Sequence, residues 1–101
     1  KQHIGNALKI LPNIDCSFQL AFIDADKENY IKYFKLLFNK IDVGGYIIAD
    51  NVLWSGKILD DKKDSDTKAL HDYNNYVNSL KNVRSVLIPI RDGLMITQKI
   101  K

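Results

Sequence analysis

Few residues in this chain could cross-link it or break its regular structure: its 101 residues include one cysteine, two prolines and five glycines. The lone Cys16 excludes an internal disulfide and suits a reducing compartment. No apolar run approaches the roughly 20 residues needed to cross a bilayer. No secretory signal pattern is visible either, so a cytoplasmic protein without a membrane partner is expected. The net charge is only +3 and the lysines are scattered. With no arginine-rich run and no basic stripe interleaved with aromatics, a nucleic-acid partner is not expected. An initiator methionine is missing too, Met95 being the only methionine, which suggests a processed or truncated chain.

What is present is ordinary for a globular protein. Hydrophobic residues make up 46% and charged residues 27%, enough for one domain with a modest core. The most informative stretch is Leu20-Ala21-Phe22-Ile23-Asp24-Ala25-Asp26-Lys27. Its apolar run reads as a strand, Phe18 to Ile23, buried on both faces as in a parallel sheet. Ligands collect beyond the carboxyl ends of such strands, where Asp24, Asp26 and Lys27 fall. The competing explanation is a solvated turn in which Asp26 merely caps the next helix. Lys27 runs against local preference, because a cation in a first helical turn opposes the helix dipole.

Upstream, Asn6 is a candidate cap for a short helix from Ala7 to Leu11, ending near Pro12. His3 has no partner at ligand spacing. From Lys27 to Ile41, the residues Tyr30, Phe34, Leu37, Phe38 and Ile41 recur at helical spacing, which predicts one helix laid on a sheet. Gly44-Gly45 then stops the connection, and a second buried strand, Tyr46 to Ala49, runs into Asp50-Asn51. Strand, helix and strand predict a right-handed parallel crossover with the two strands adjacent. An apolar and aromatic segment, Val52 to Lys57, leads into a mixed-charge loop over 60–66. Asp66 is the expected cap of a helix from Thr67 to Lys81 whose stripe is Leu70, Tyr73, Val77 and Leu80. Two strands close the chain, Val83 to Ile90 and Leu94 to Ile100, around a three-residue hairpin loop Arg91-Asp92-Gly93. Pro89 assigns the first of them to a sheet edge. The expected architecture is three-layered α/β, with the last strand antiparallel beside the second.

If the two buried strands are neighbours, their ends lie about 5 Å apart, and Asp24 can face Asp50 and Asn51. Two carboxylates and an amide oxygen form a hard, all-oxygen set that suits Mg²⁺, Mn²⁺ or Ca²⁺ and lacks the thiolates and imidazoles zinc prefers. Taken alone, Asp50-Asn51 is a polar turn after a strand. Two acidic strand ends on one crossover bring the metal-site explanation level with it.

Two long motifs, Phe22-Ile23-Asp24-Ala25-Asp26-Lys27-Glu28-Asn29-Tyr30 and Gly44-Gly45-Tyr46-Ile47-Ile48-Ala49-Asp50-Asn51-Val52-Leu53-Trp54-Ser55-Gly56-Lys57, resemble the cation-dependent O-methyltransferases, the caffeoyl-CoA and catechol O-methyltransferase-like enzymes. The closing Pro89-Ile90-Arg91-Asp92-Gly93-Leu94 is similar as well, so that the resemblance covers essentially the whole chain. It implies transfer of a methyl group from S-adenosylmethionine to a hydroxyl of a catechol-like or caffeoyl-CoA-like aromatic acceptor. It also implies Asp24, Asp50 and Asn51 as ligands of a divalent cation (Mg²⁺, or else Mn²⁺ or Ca²⁺) and Lys27 as the general base. Asp26 and Ala7 correspond to cofactor contacts, while Trp54 and Ser55, with Asp24, correspond to the acceptor pocket.

The family's glycine-rich cofactor turn and its ribose-binding acid have no counterpart here. By this resemblance, residues 1–101 are the C-terminal part of a single methyltransferase domain, the second half of a Rossmann-like, mostly parallel sheet with a last antiparallel strand and helices packed on it. The strand Phe18–Ile23 is then an exposed edge. The complete parent is expected to be a homodimer, and the isolated chain to be inactive and able to self-associate. Two alternatives stand beside this. Phe22 to Asp26 also resembles the start of a haloacid-dehalogenase-type, Mg²⁺-dependent phosphatase, with Asp24 as nucleophile and Asp26 as acid, although Glu28 stands where that family has Thr or Val. The other alternative is a non-catalytic fragment that only folds or associates.

Overall fold

A computed structural model describes all of residues 1–101. Its regular elements are α1 (Ala7–Ile10), β1 (Phe18–Ile23), α2 (Tyr30–Phe38), β2 (Ile41–Asp50), α3 (Ser65–Ser79), β3 (Val83–Ile88) and β4 (Leu94–Lys99). Short 3-10 turns occupy Leu11–Asn13, Lys27–Asn29 and Trp54–Leu59. The strands form one sheet in the order β1-β2-β4-β3. β1 pairs parallel to β2, and β4 runs antiparallel to both of its neighbours. Three strands therefore share one direction, and the expected adjacency of the first two is present. β1 is a sheet edge, as expected, and so is β3.

Both long helices cover the same sheet face. Tyr30 and Phe34 of α2 meet Tyr73 of α3 edge-on at 5.5 and 5.9 Å, and the sheet residues Ile23, Ile47, Ala49 and Met95 are buried beneath them. The opposite face is open. Leu20 and Phe22 of β1 are 59% and 58% exposed, and Tyr46 and Val86 on the same side are exposed too. The three-layer expectation and the doubly buried first strand are thus corrected. The apolar runs are long enough for burial on two faces, but residues 1–101 supply helices for one.

Several boundaries also differ. The helix expected over 27–41 is a 3-10 turn followed by α2, and Ile41 already belongs to β2. Gly44-Gly45 does not stop a connection but lies inside β2, where residues 42–45 bulge out between the Phe18–Ile41 and Leu20–Tyr46 pairs. Gly44 has φ +90°, and a Cβ on Gly45 would stand 2.8 Å from the Gln19 carbonyl oxygen, so the bulge needs both glycines. Asp64, not Asp66, caps α3, its carboxylate accepting from the Thr67 amide at 2.8 Å. Pro89 to Gly93 all lie between β3 and β4, making the hairpin loop five residues rather than three, since Ile88 pairs with Leu94. α1 and its Asn6 cap are as expected, with Asn6 Oδ1 accepting from the Leu8 amide at 3.0 Å. No helix is long and apolar enough to cross a membrane.

Candidate active site

The crossover places the ends of β1 and β2 side by side. Ile23 pairs with Ala49, so Asp24 and Asp50 leave adjacent strands together. The chain past β2 turns sharply, with Asn51 in the left-handed region at φ +63°. Asparagine tolerates this conformation better than most residues. The Asn51 backbone N–H donates to Asp50 Oδ1 at 2.8 Å. From beneath, Asn74 of α3 donates to the Val52 carbonyl at 3.0 Å and fixes the start of the loop.

Lys27 reaches back from the 3-10 turn into this corner. Its side chain is only 11% exposed. Nζ donates to Ala25 O and Tyr30 Oη at 2.9 Å and to Asn51 Oδ1 at 3.1 Å, and lies 3.6 Å from Asp24 Oδ1. It also sits over the rings of Tyr30 and Trp54, 4.8 and 5.5 Å from their centroids. These contacts explain a lysine in a first turn: the oxygens at the strand ends hold its cationic head away from the helix axis.

Tyr30 joins the two strand ends. Its hydroxyl accepts from Lys27 and donates to Asp50 O at 2.9 Å. Burial, reinforced by the charges of Asp24 and Asp50, pushes its phenol well above the usual value. Asp26 does not cap the helix through its side chain. Its carboxylate accepts from the Tyr33 hydroxyl and the Asn29 amide. The Tyr33 bond holds Asp26 below the ordinary 3.8 and, in return, pushes Tyr33 up to about 12.

The expected residues fall into two groups. Lys27, Asp24, Asn51 and Trp54 converge directly, with Asp50 joined through its backbone and Ser55 on the same loop. Ala7 and Asp26 stand apart from them. Ala7 lines a mostly apolar cleft of about 290 Å³ shared with Phe22, Asp24, Ala25, Tyr33 and Leu37, and Tyr33 links that cleft to Asp26. Tyr30, Tyr33 and Asp92 have structural parts that sequence reasoning missed. Periodicity marks Tyr30 only as part of a helical stripe, it leaves Tyr33 outside that stripe, and Asp92 reads only as a turn residue.

For a divalent cation the donor chemistry fits. No three Asp, Glu, His or Cys side chains form a metal-holding group. The candidate set is instead two carboxylates and an amide oxygen, all hard donors. Four oxygens gather round one positive charge, the Lys27 ammonium, and two of them, Asn51 Oδ1 and Asp24 Oδ1, belong to that candidate set.

The family model described as O-methyltransferase matches residues 2–100. This chain belongs to the O-methyltransferase family. Caffeoyl-CoA O-methyltransferase of Medicago sativa is 34% identical over 92 residues, covering 84% of this chain and 37% of that enzyme. Tricin synthase 1 of Oryza sativa subsp. japonica is 32% identical over 93 residues, covering 85% of this chain and 37% of its own. A cofactor-bound protein from MTB superposes with a TM-score of 0.90 at 29% identity, over 96% of this chain and 47% of the other. The O-methyltransferase TomG of Streptomyces achromogenes, solved in complex with SAM, has a TM-score of 0.90 at 24% identity, over 100% of this chain and 50% of the other; at that identity the likeness is one of fold. The chain spans about two fifths of the length of the curated relatives it matches. The phosphatase likeness of Phe22 to Asp26 is confined to a few residues, whereas the family match runs nearly end to end.

Proposed function

We propose that this O-methyltransferase family chain carries the cation-holding and base-bearing part of an S-adenosylmethionine-dependent, divalent-cation-dependent enzyme. Its acceptor would be a hydroxyl on a catechol-like or caffeoyl-CoA-like aromatic molecule. The observation that carries this is the junction of Lys27 Nζ with Asn51 Oδ1, at 3.1 Å, beside Asp24 at paired strand ends. Membership of the O-methyltransferase family and the cofactor-bound structure at 29% identity support the cofactor, and the caffeoyl-CoA O-methyltransferases among the relatives support the acceptor class.

On this proposal Asp24, Asp50 and Asn51 would hold Mg²⁺, or Mn²⁺ or Ca²⁺. When bound, the cation supplies Lewis-acid polarisation of the acceptor hydroxyls and S-adenosylmethionine supplies the methyl group. Lys27, once unprotonated, receives the hydroxyl proton at Nζ. Its near-burial between Tyr30 and Trp54 confines that nitrogen to one place, which serves orientation. Trp54 and Ser55 wall the acceptor side, with Asp24 at the boundary. Ala7, through the apolar cleft, and Asp26 contact the cofactor.

Residues 1–101 would be the C-terminal part of one methyltransferase domain in a cytoplasmic enzyme that works as a homodimer. The open sheet face and the free β1 edge favour a further part of the same domain that covers both, and in the chain by itself they favour self-association. The test is methyl transfer from labelled S-adenosylmethionine to caffeoyl-CoA or catechol by the complete protein. Activity with Mg²⁺ that disappears with EDTA and in Lys27→Met is expected. Full activity in EDTA would overturn the cation requirement.

A further inference from the structure

We infer that Asp92 is a positioning residue that fixes the amide of Asn51 with its oxygen turned towards Lys27 and the strand-end carboxylates. The inference deepens the proposed cation site and rests partly on it. Asp92 Oδ2 accepts from Asn51 Nδ2 at 3.1 Å, while Asn51 Oδ1 accepts from Lys27 Nζ at 3.1 Å. An ionised carboxylate can only accept and an ammonium can only donate. Only one of the two amide orientations satisfies both neighbours, so Asp92 and Lys27 together decide which atom of Asn51 faces the site.

The hairpin that carries Asp92 is locked to the loop that carries Asn51. Asp92 Oδ1 accepts from the Ser55 amide at 2.5 Å, the Asp92 carbonyl accepts from Leu53 N at 2.8 Å, and the Gly93 carbonyl accepts from Val52 N at 3.2 Å. The two segments approach so closely that a Cβ on Gly93 would lie 2.6 Å from Leu53 Cγ. Asn51, Trp54, Ser55, Gly56, Arg91 and Gly93 all have positive φ. Such backbone persists where surrounding bonds over-determine it, and Asp92 supplies three of those bonds. Its two carboxylate oxygens thereby set both a candidate metal ligand and the candidate acceptor wall at Ser55.

The test exchanges donor and acceptor. In Asp92→Asn the new amide at position 92 can keep its oxygen on the Ser55 amide only by presenting NH₂ to Asn51, which turns the Asn51 oxygen away from the site. Mn²⁺ binding by the full chain, followed by electron paramagnetic resonance, should weaken about 10- to 100-fold, as for other partners that orient a metal ligand. The double variant Asn51→Asp/Asp92→Asn restores an acceptor facing a donor and keeps an oxygen towards the site, so it should recover most of the lost affinity. Because Asn51→Asp adds a carboxylate of its own, Asn51→Asp alone is the reference. Asp92→Asn should cost affinity in the wild-type background and not in the Asn51→Asp background, whereas a purely structural Asp92 would cost it in both. Asp92→Asn binding Mn²⁺ as tightly as the wild type, or an equal loss in both backgrounds, would overturn the inference.

A second readout does not depend on metal or on the variants folding. In the wild-type chain the Asn51 side-chain NH₂ protons should show nuclear Overhauser contacts to the Asp92 Hβ protons and none to the Lys27 Hε protons. The reverse pattern would refute the positioning role. A wild-type chain that shows the expected contacts yet binds no Mn²⁺ would instead refute the cation site while leaving Asp92 as the residue that orients Asn51.

Discussion

Tyr30 and Tyr73 are both fully buried, and their rings touch edge-on at 5.5 Å, yet removing the hydroxyl should destabilise the fold at Tyr30 and not at Tyr73. The Tyr30 hydroxyl accepts from Lys27 and donates to Asp50 O, both at 2.9 Å. The Tyr73 hydroxyl has no partner, and burial pushes its phenol up. Tyr30→Phe keeps the ring and deletes two hydrogen bonds. A neutral bond contributes about 0.5–1.5 kcal/mol and one to a charged group about 1.5–3 kcal/mol. Lys27 keeps three other oxygens, so its loss falls at the low end, and about 2 kcal/mol in total is expected. At roughly 4–8 °C per kcal/mol for a domain of this size, the melting temperature should fall by roughly 8–16 °C. Tyr73→Phe removes a desolvated, unpaired group whose burial costs about 1–3 kcal/mol, so it should leave the melting temperature unchanged or raise it. Thermal and urea unfolding followed by circular dichroism measure both. A Tyr73→Phe variant destabilised as much as Tyr30→Phe would refute the hydrogen-bond assignment at this corner.

Other outcomes follow from the same structure. Gly93→Ala, which combines φ +86° with a Cβ 2.6 Å from Leu53 Cγ, should cost more than about 1 kcal/mol, and a wild-type melting temperature would contradict the close approach. Tyr33→Phe should raise the Asp26 carboxyl towards its ordinary 3.8, read by carbon NMR; an unmoved value would deny the bond its part. The Asp26 contribution is present above the ordinary carboxyl pKa and lost as pH falls through the lowered one. The Tyr33 contribution is present below 10.0 and lost as pH rises through about 12, so this pair leaves stability flat between those limits. The isolated chain should not bind S-adenosylmethionine usefully. A micromolar complex needs about 8 kcal/mol, and Ala7 and Asp26 on an open rim would also have to offset the cofactor's lost motional freedom. Low-micromolar binding in titration calorimetry would show that the chain forms a full pocket alone or by pairing.

Much of the framework was legible in the residues because its signals are local. The apolar run that defines β1 has the bounds Phe18–Ile23 in both readings, and the strand–helix–strand order implied the parallel neighbours. The two glycines were misread because a bulge inside a strand and a stop after a helix use the same residue, and only register separates them. Asp64 and Asp66 are both sound caps by chemistry, and the choice depends on where α3 meets the core through Thr67. The open sheet face could not be foreseen, since an apolar strand states its need for cover and not whether cover is supplied. At the site, Asp24, Asp50, Asn51 and Lys27 announce themselves as polar residues at strand ends. Asp92 and Tyr30 do not, because one lies 41 residues from Asn51 along the chain and the other looks like core stripe.

The proposed function requires a divalent-cation site at the ends of β1 and β2. Titrating the full chain with Mn²⁺ by calorimetry or paramagnetic resonance, beside Asp50→Ala, tests it most directly. Saturable binding that disappears in Asp50→Ala, while the far-ultraviolet circular dichroism spectrum is retained, is the result expected of a ligand at a strand end rather than in the core. Absence of binding to the wild type, or equal binding by Asp50→Ala, would contradict it.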